Sequence, residues 1–273
     1  MKENDKLAII ILNKDNTELL FDCLTSIREK TEFKNYHIYL GDTGSTKENL
    51  DKIANYLKTY FSKKKNATLI QFNYYNFAKN NNEIIKKYVK DENLLLFCNN
   101  DIKLIDDCIT EGIKMYRRNK DKVGTIGFKL LFGDGTIQHA GQVIFEENKI
   151  FRGVTHRGLK QTSDKFSKRE LVIGNTMALL LTTKKLYNEI NGLSEDYIEC
   201  LEDVQYNIEC ILRGKHNIYI GDRVAWHYES QTRNKDPNKN KMLLYDTNKT
   251  LIPFINKNIN KILESKLVYG ITK

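Results

Sequence analysis

The run Leu94-Leu95-Leu96-Phe97-Cys98 passes directly into Asn99-Asn100-Asp101. Consecutive apolar residues of this kind mark a strand buried on both faces, and a carboxylate at its C-terminal end falls in the crevice where open α/β sheets bind ligands. Such a carboxylate can hold a hard divalent cation, Mn2+ or Mg2+, which needs oxygen ligands and takes one or two carboxylates plus substrate phosphates. A surface turn accounts for the same three residues, because Asn and Asp are ordinary turn formers. The remaining polar constellation is Asn13-Lys14-Asp15, Asp42-Thr43-Gly44-Ser45, Asn82, Glu202-Asp203 and His227-Tyr228-Glu229-Ser230. Taken singly, each favours capping or turn chemistry: Asp203 suits a helix N-terminus through the macrodipole, and His227 suits a buried histidine beside Trp226. Neither Gly-x-Gly-x-x-Gly nor Gly-x-x-x-x-Gly-Lys-Ser/Thr is present, so dinucleotide oxidoreduction and P-loop phosphoryl transfer lose their usual signals.

Hydrophobic periodicity supplies the framework for these residues. Leu7 to Leu12 reads as a first strand, and Thr17 to Lys30 as a helix with Leu19, Leu20, Cys23, Leu24 and Ile27 on one face. Tyr36 to Leu40 is a second strand, followed by a helix capped by Ser45 or Thr46 with Leu50, Ile53, Ala54, Leu57 and Phe61 on its buried stripe. Ala67 to Phe72 is a third strand, Asn80 to Val89 a helix, and Leu94 to Cys98 a fourth strand. This alternation predicts a parallel, doubly wound sheet with Asp42 and Asp101 at one edge. The second half reads as β-like pieces at Val123 to Leu131, Thr136 to Phe145 and Ile150 to Val154, a helix over Leu201 to Leu212, and strands at Asn217 to Ile220 and Arg223 to His227. Lys239 to Phe254 and Asn258 to Val268 are expected as terminal helices.

With 273 residues, 40% hydrophobic and 10% aromatic, the chain can bury a large core as one domain or as a domain with an appendage. Pro237 and Pro253 are its two prolines, so no proline-rich linker divides it, and there is no internal repeat. The longest apolar runs, Leu7 to Leu12 and Met177 to Leu181, fall short of the roughly 18 residues that span a bilayer. No apolar signal segment comes after the charged start, so a cytoplasmic location is expected. The five cysteines form no Cys-x-x-Cys pair and fit a reducing compartment as small core residues. Of the net charge of +9, the segment from Arg233 onward carries nine basic against three acidic residues, hence +6. Such a tail could meet an anionic membrane surface or nucleic acid, or present a solvated helical face.

Eight stretches stand in order along the chain: Leu12-Asn13-Lys14-Asp15 with Leu20 and Cys23-Leu24; Asp42-Thr43-Gly44-Ser45; Asn76-Phe77-Ala78 leading to Asn81-Asn82; Leu96-Phe97-Cys98-Asn99-Asn100-Asp101; Asp134-Gly135-Thr136-Ile137-Gln138-His139-Ala140-Gly141; Gly192-Leu193-Ser194-Glu195; Glu202-Asp203-Val204; and His227-Tyr228-Glu229-Ser230. Together they resemble the family 2 glycosyltransferases with the GT-A fold, particularly the bacterial rhamnosyltransferase-like or O-antigen branch. The matches run from about residue 7 to residue 233, and eight in order are far more specific than any one. The resemblance implies an α/β, Rossmann-like nucleotide-diphospho-sugar transferase fold with a mixed central sheet and C-terminal helices. It divides the chain into a GT-A domain over 1–232, with a nucleotide-binding half to 101 and an acceptor-binding half from 102, and a basic helical tail over 233–273 packed on or extending from it.

The resemblance also assigns roles. The family's acidic Asp-x-Asp reads Asn99-Asn100-Asp101, leaving Asp101 as the metal carboxylate, with Asn100 beside the donor and His227 as the late histidine that completes the metal site. A metal there would act as a Lewis acid on the diphosphate leaving group. Asp42 should read the nucleotide base or ribose, with Asn13, Asp15 and Asn82 lining the same pocket. Asp203 is implied as the general base and Glu202 as an acceptor-binding group, since adjacent carboxylates tend to raise one another's pKa. The reaction implied is single-displacement, inverting transfer from a UDP- or dTDP-sugar to a glycan, glycolipid or glycoprotein acceptor in bacterial surface polysaccharide or glycoconjugate synthesis. Thr43 and the segment Gly174-Asn175-Thr176-Met177-Ala178 depart from the family pattern, so the donor sugar does not carry over, and His139 is open between a structural histidine and a sugar contact. Two rivals remain. A nucleotidyltransferase lacks here a glycine- and basic-rich phosphate loop after the first strand; a nucleic-acid-binding protein lacks any RNP-like or zinc-finger pattern.

Overall fold

The computed structural model describes residues 5–62, 66–228, 238–264 and 271–272. Its first half is β1 (Leu7–Asn13), α1 (Thr17–Lys30), β2 (Tyr36–Asp42), α2 (Lys47–Phe61), β3 (Ala67–Gln71), α3 (Phe77–Lys87) and β4 (Leu94–Cys98). β1 pairs in parallel with β2 and β4, and β2 with β3, so all four strands end at one edge. The double burial expected of such strands is visible in β1. Leu7, Ile9 and Ile11 pack with Leu20, Leu24 and Ile53 on one face, while Ala8 and Ile10 pack with Ile84 and Ile85 on the other.

Two local expectations shift. On α2 the buried stripe holds at Ile53, Leu57 and Phe61, but Ala54 is exposed, and Tyr56 instead stacks on Phe21 with ring centroids 4.2 Å apart. α3 begins at Phe77 rather than Asn80, because the Asn76 side chain caps it by accepting from Lys79 N at 2.8 Å. Asn80 and Asn81 sit inside that helix with their amides returned to the backbone at Asn76 and Phe77.

The second half comprises β5 (Ile102–Leu104), α4 (Cys108–Asn119), β6 (Val123–Leu131), β7 (Ile137–His139), β8 (Gln142–Glu147), β9 (Ile150–His156), β10 (Arg169–Val172), β11 (Leu179–Thr183), α5 (Lys184–Ile190), α6 (Glu202–Leu212), β12 (His216–His227), α7 (Lys239–Tyr245) and α8 (Ile252–Glu264). The main sheet runs β10-β12-β6-β11-β4-β1-β2-β3 and is mixed, because β11 lies antiparallel to both β4 and β6. That reversal matters for the site. The register Leu179↔Cys98 puts the start of β11, and the turn before it, at the edge where β1, β2 and β4 end. The pairing His227↔Ile102 brings the end of β12 to the same edge.

The stretch 136–145 is two strands, with β7 on β6 and β8 in a separate sheet with β9. The break falls at Gly141, whose φ of +95° suits glycine. Conversely, 217–227 lies within one strand. Its register shifts between Ile220 and Val224, where any Cβ on Gly221 would come within 2.1 Å of the Phe166 carbonyl oxygen.

The terminal helices are one continuous rod, α7 and α8 joined by the π-helical turn Asp246–Leu251. Leu251, Ile255, Ile259 and Ile262 are buried against Ile144, Phe151, Val204, Ile208 and Ile211. At about 2 kcal/mol for each fully buried aliphatic side chain, that seam holds the rod on α6 and the smaller sheet. No helix among the described residues is long and apolar enough to cross a membrane.

Candidate active site

At the end of β2 the Asp42 side chain, 1% exposed, organises its own loop. Its Oδ1 accepts from Gly44 N at 3.1 Å and Ser45 N at 2.9 Å, and its Oδ2 accepts from the Ser45 hydroxyl and, at 3.4 Å, from Asn13 Nδ2. Gly44 has φ +110°, a conformation that only glycine adopts without strain. Asn13 in turn accepts from Asn100 Nδ2 at 2.8 Å, so three strand ends are joined in the order Asp42, Asn13, Asn100. Asp15 belongs to the same corner but faces α2. Its Oδ1 accepts from Thr46 N at 2.9 Å and Asn49 Nδ2 at 2.8 Å, and the Asn49 amide, then the Thr46 N–H, hold its carboxyl below the usual carboxylate range.

Asn82 is placed elsewhere. Its Nδ2 donates to Leu193 O and Glu195 Oε1, each at 2.9 Å, and its Oδ1 accepts from Leu193 N and the Tyr187 hydroxyl. Every donor and acceptor of that amide is therefore spent on the Gly192–Glu195 turn and the Tyr187 hydroxyl, which leaves none for a nucleotide, where the expectation had Asn82 lining the Asp42 pocket.

The second corner is built by β4 and β12. His227 Nδ1 lies 2.6 Å from Gln138 Oε1, an acceptor, so the imidazole hydrogen sits on Nδ1 in the neutral ring. Nε2 then carries the lone pair. It accepts from Asn99 Nδ2 at 3.2 Å and lies 3.2 Å from Asp101 Oδ1. Proximity does not satisfy Asp101, whose Oδ1 is buried with no hydrogen donor. Two lone pairs converging in a nearly dry corner could hold a cation, and the Gln138 contact would then be the outer-shell bond that orients the histidine. Among the described residues no three of His, Cys, Asp and Glu converge on one point. Asp101 and His227 alone are too few for a structural zinc; as a pair they could hold Mn2+ or Mg2+ completed by substrate phosphates and water.

The turn ahead of β11 connects the Asn99 backbone, two residues before Asp101, with the Asp203 side chain. Ala178 O accepts from Asn99 N at 2.9 Å, and Met177 N donates to Asp203 Oδ2 at 3.2 Å. Gln142 Nε2 reaches the same oxygen at 3.3 Å, and Val204 N donates to Asp203 Oδ1 at 2.7 Å. Asp203 is half-buried at the start of α6, and Glu202 beside it is 8% exposed. Beneath them lies a buried amide network. Asn175 N donates to Asn207 Oδ1 at 3.1 Å, Asn207 Nδ2 returns bonds to Asn175 O at 2.8 Å and Asp203 O at 2.7 Å, and Thr125 Oγ1 donates to Asn207 Oδ1 at 2.7 Å. These bonds, between residues at zero exposure, fix the turn relative to α6.

His139 has a structural part. Fully buried, its Nε2 accepts from Gly141 N at 3.2 Å and Thr176 N at 3.3 Å, and burial, then the neighbouring His156, pushes its pKa well below the ordinary histidine value. It therefore stays neutral and pins the bridging turn. Gln138, Gln142 and Asn207 escape sequence reasoning because their partners lie far along the chain. Gln138 and His139 do stand in one of the recognised stretches, and that was the available signal.

A mixed α/β sheet that gathers Asp42, Asp101, His227 and Asp203 toward one strand edge has the layout of a ligand-binding α/β fold. The profile of glycosyl transferase family 2 matches residues 7–176, and the chain belongs to that family. The O-antigen biosynthesis protein RfbC of Myxococcus xanthus is 25% identical over 237 residues, which are 85% of this chain but 18% of that protein, so the chain spans under a fifth of that relative. Among solved structures, the mannosyltransferase PcManGT of Pyrobaculum calidifontis, in complex with GDP-Man and Mn2+, superposes with a TM-score of 0.66 at 12% identity, over 97% of this chain and 70% of that one. GalNAc-T7 with UDP, GalNAc and Mn2+ gives 0.68 at 12% identity, over 99% and 56%. At these identities the likeness shows the fold, which is GT-A.

Proposed function

We propose that the protein is a metal-dependent, inverting glycosyltransferase that moves a sugar from a nucleoside diphosphate donor, a UDP- or dTDP-sugar, to a saccharide acceptor of a bacterial surface glycan or glycoconjugate. The observation that carries this reading is the span Met177-Ala178, whose adjacent backbone groups tie Asp203 to Asn99 beside the Asp101–His227 corner. A sugar lying over that span has the diphosphate site on one side and a carboxylate on the other, the arrangement a single displacement requires. Asp101 and His227 would hold the divalent ion, which, when bound, supplies positive charge to the departing diphosphate. RfbC, whose name assigns it to O-antigen biosynthesis, and neighbours solved with GDP-Man, UDP and Mn2+ support the same reading.

The chain's own residues supply the rest. The Asp42–Asn13–Asn100 chain gives the nucleoside and diphosphate a polar, preformed edge; direct contact with Asp42 requires the Ser45 hydroxyl to turn aside. Asp203 takes the proton of the acceptor hydroxyl as that oxygen attacks the anomeric carbon and the bond to the diphosphate breaks. Glu202 orients the acceptor. We assign residues 1–232 to the catalytic domain, with the nucleotide half ending at 101, and treat the packed terminal rod as part of the same unit. A panel of nucleotide sugars scored for thermal stabilisation with and without Mn2+ tests this. Stabilisation by at least one donor that needs the metal is expected; a response to nucleoside triphosphates with sugar phosphates instead would favour nucleotidyl transfer.

The rod also presents a basic outer face toward which a membrane-bound acceptor could draw the enzyme. Lys241, Lys249, Lys257 and Lys261 are exposed, whereas Ile259 and Ile262 are turned into the core, so attachment through α8 would be electrostatic. Lys266, farther along the same basic tail, lies outside the described residues. Each lysine near an anionic surface contributes about 1 kcal/mol, fading with salt. Sedimentation with phosphatidylserine vesicles should rise with anionic lipid content and fall in a Lys241→Glu, Lys257→Glu, Lys261→Glu variant. Binding independent of lipid charge contradicts it.

A further inference from the structure

The segment between α5 and α6 delivers the Glu202-Asp203 pair, and one distant carboxylate holds it. Asp246 Oδ1 accepts from Ile198 N at 2.9 Å, while its Oδ2 accepts from Glu199 N at 2.6 Å and Cys200 N at 3.0 Å. Three successive backbone N–H groups converging on one point form an anion nest, and here the chain fills it with its own side chain. Asp246 is fully buried, despite lying in the tail whose composition reads as solvated and basic. It opens the π-helical turn Asp246–Leu251, an irregularity of the kind that recurs at functional sites.

The residue immediately after the nest gives it a purpose. Leu201 stands at φ +84° as the N-cap of α6 and makes no side-chain cap hydrogen bond. A leucine holds a left-handed conformation only where its surroundings over-determine it. Downstream lie Glu202 and Asp203, in the first turn of the helix that Leu201 launches. On the other side, Tyr197 is 3% exposed and its hydroxyl donates to Gln205 Oε1 at 2.8 Å, so the loop is fastened to the flank of α6 as well.

We propose that Asp246 is a positioning residue of the sugar-transfer site: by clamping Ile198, Glu199 and Cys200 it sets the left-handed turn at Leu201 and with it the aim of Asp203. The terminal rod is then part of the catalytic unit and not an appendage. The inference rests on the reading of Asp203 as base. Asp246 itself touches neither the cation corner nor the Asp42 edge, and the bridging turn is held separately by the Asn175–Asn207 pair, so donor binding is expected to persist.

The full-length chain carrying Asp246→Asn, which keeps the volume and one acceptor oxygen, tests this with three readouts. Amide hydrogen exchange at Ile198, Glu199 and Cys200 should accelerate while β1 and β4 stay protected. Nucleotide-sugar affinity in Mn2+, measured by calorimetry, should be unchanged. Turnover at saturating donor should fall about 10²-fold, the scale expected when a reacting group is displaced by an ångström. Should that variant fail to fold, Asp246→Glu, which keeps the charge and moves it by a methylene, is expected to give the same split between kcat and donor affinity. Unchanged exchange at the three amides overturns the clamp, and accelerated exchange with parental turnover overturns the positioning role. Donor affinity falling in step with turnover reduces Asp246 to general support of the fold and overturns the proposal too. A parent enzyme that transfers no sugar contradicts the functional reading instead, and the exchange measurement, which needs no substrate, separates that failure from failure of the clamp.

Discussion

Asp203→Asn is expected to bind the nucleotide sugar as the parent does and to turn it over at least about 10²-fold more slowly, the usual scale of general-base catalysis. Asparagine keeps the size of the side chain. Its carbonyl oxygen can still accept from Met177 N and Gln142 Nε2, the two donors now on Oδ2, so the bridging turn should hold. What it loses is the ability to take a proton. The amide placed toward Val204 N meets a donor where Asp203 Oδ1 accepts at 2.7 Å, at a cost of about 1 kcal/mol in stability. Glu202→Gln should lose less, chiefly in acceptor KM, because Glu202 is 8% exposed and is assigned to orientation. Steady-state rates at saturating donor across pH decide between them. Parental turnover in Asp203→Asn with a dead Glu202→Gln would exchange the two roles, and two active variants would remove the base from the mechanism.

Asp101→Ala is expected to abolish metal-dependent donor binding without weakening the metal-free fold. Removing a carboxylate usually costs stability, but Asp101 Oδ1 is buried and unpartnered, so the substitution relieves a desolvation penalty. With metal and donor at about one hundred times their Kd, the parent gains about 2.7 kcal/mol of stability that the variant should lack. Gln138→Leu extends the test without touching a ligand. It frees His227 Nδ1, now 2.6 Å from Gln138 Oε1, and should weaken Mn2+ binding about 10–100-fold, as loss of an outer-shell partner does. Calorimetric titration of Mn2+ in the presence of a nucleoside diphosphate reads both variants. Undiminished metal-dependent affinity in Asp101→Ala would place the cation elsewhere.

The strand-end half of this site is legible in the sequence because burial and chemistry are written in adjacent residues. Leu94 to Cys98 is buried throughout and Asp101 comes just after it; Tyr36 to Asp42 ends in the acid that organises the next loop. Periodicity marks α1 to the residue, since its apolar face repeats at helical spacing. The mixed character of the sheet is less visible. β11 begins with three leucines, yet its direction depends on a reversal at 174–178 that composition does not reveal, and β10 and α5, at four and seven residues, are too short to announce themselves.

Residues that act through distant partners are the ones that sequence reading misplaces. Asn82 shares a stretch with genuine family matches yet is wholly engaged with Tyr187, Leu193 and Glu195, more than a hundred residues on. Asp246 reads as one of three acids in a lysine-rich tail, although its carboxylate is buried under Ile198 to Cys200. Neither placement can be read from local pattern, because each depends on how distant elements dock.

The configuration of the first sugar released discriminates most sharply among mechanisms. With a stabilising nucleotide sugar, Mn2+ and water in place of the acceptor, proton NMR can identify the anomer formed before mutarotation. Single displacement driven by Asp203 predicts metal-dependent release of the nucleoside diphosphate together with the sugar of inverted configuration, and neither product from Asp101→Ala. Retention of the donor's anomeric configuration, or release that proceeds equally without metal, would contradict that mechanism.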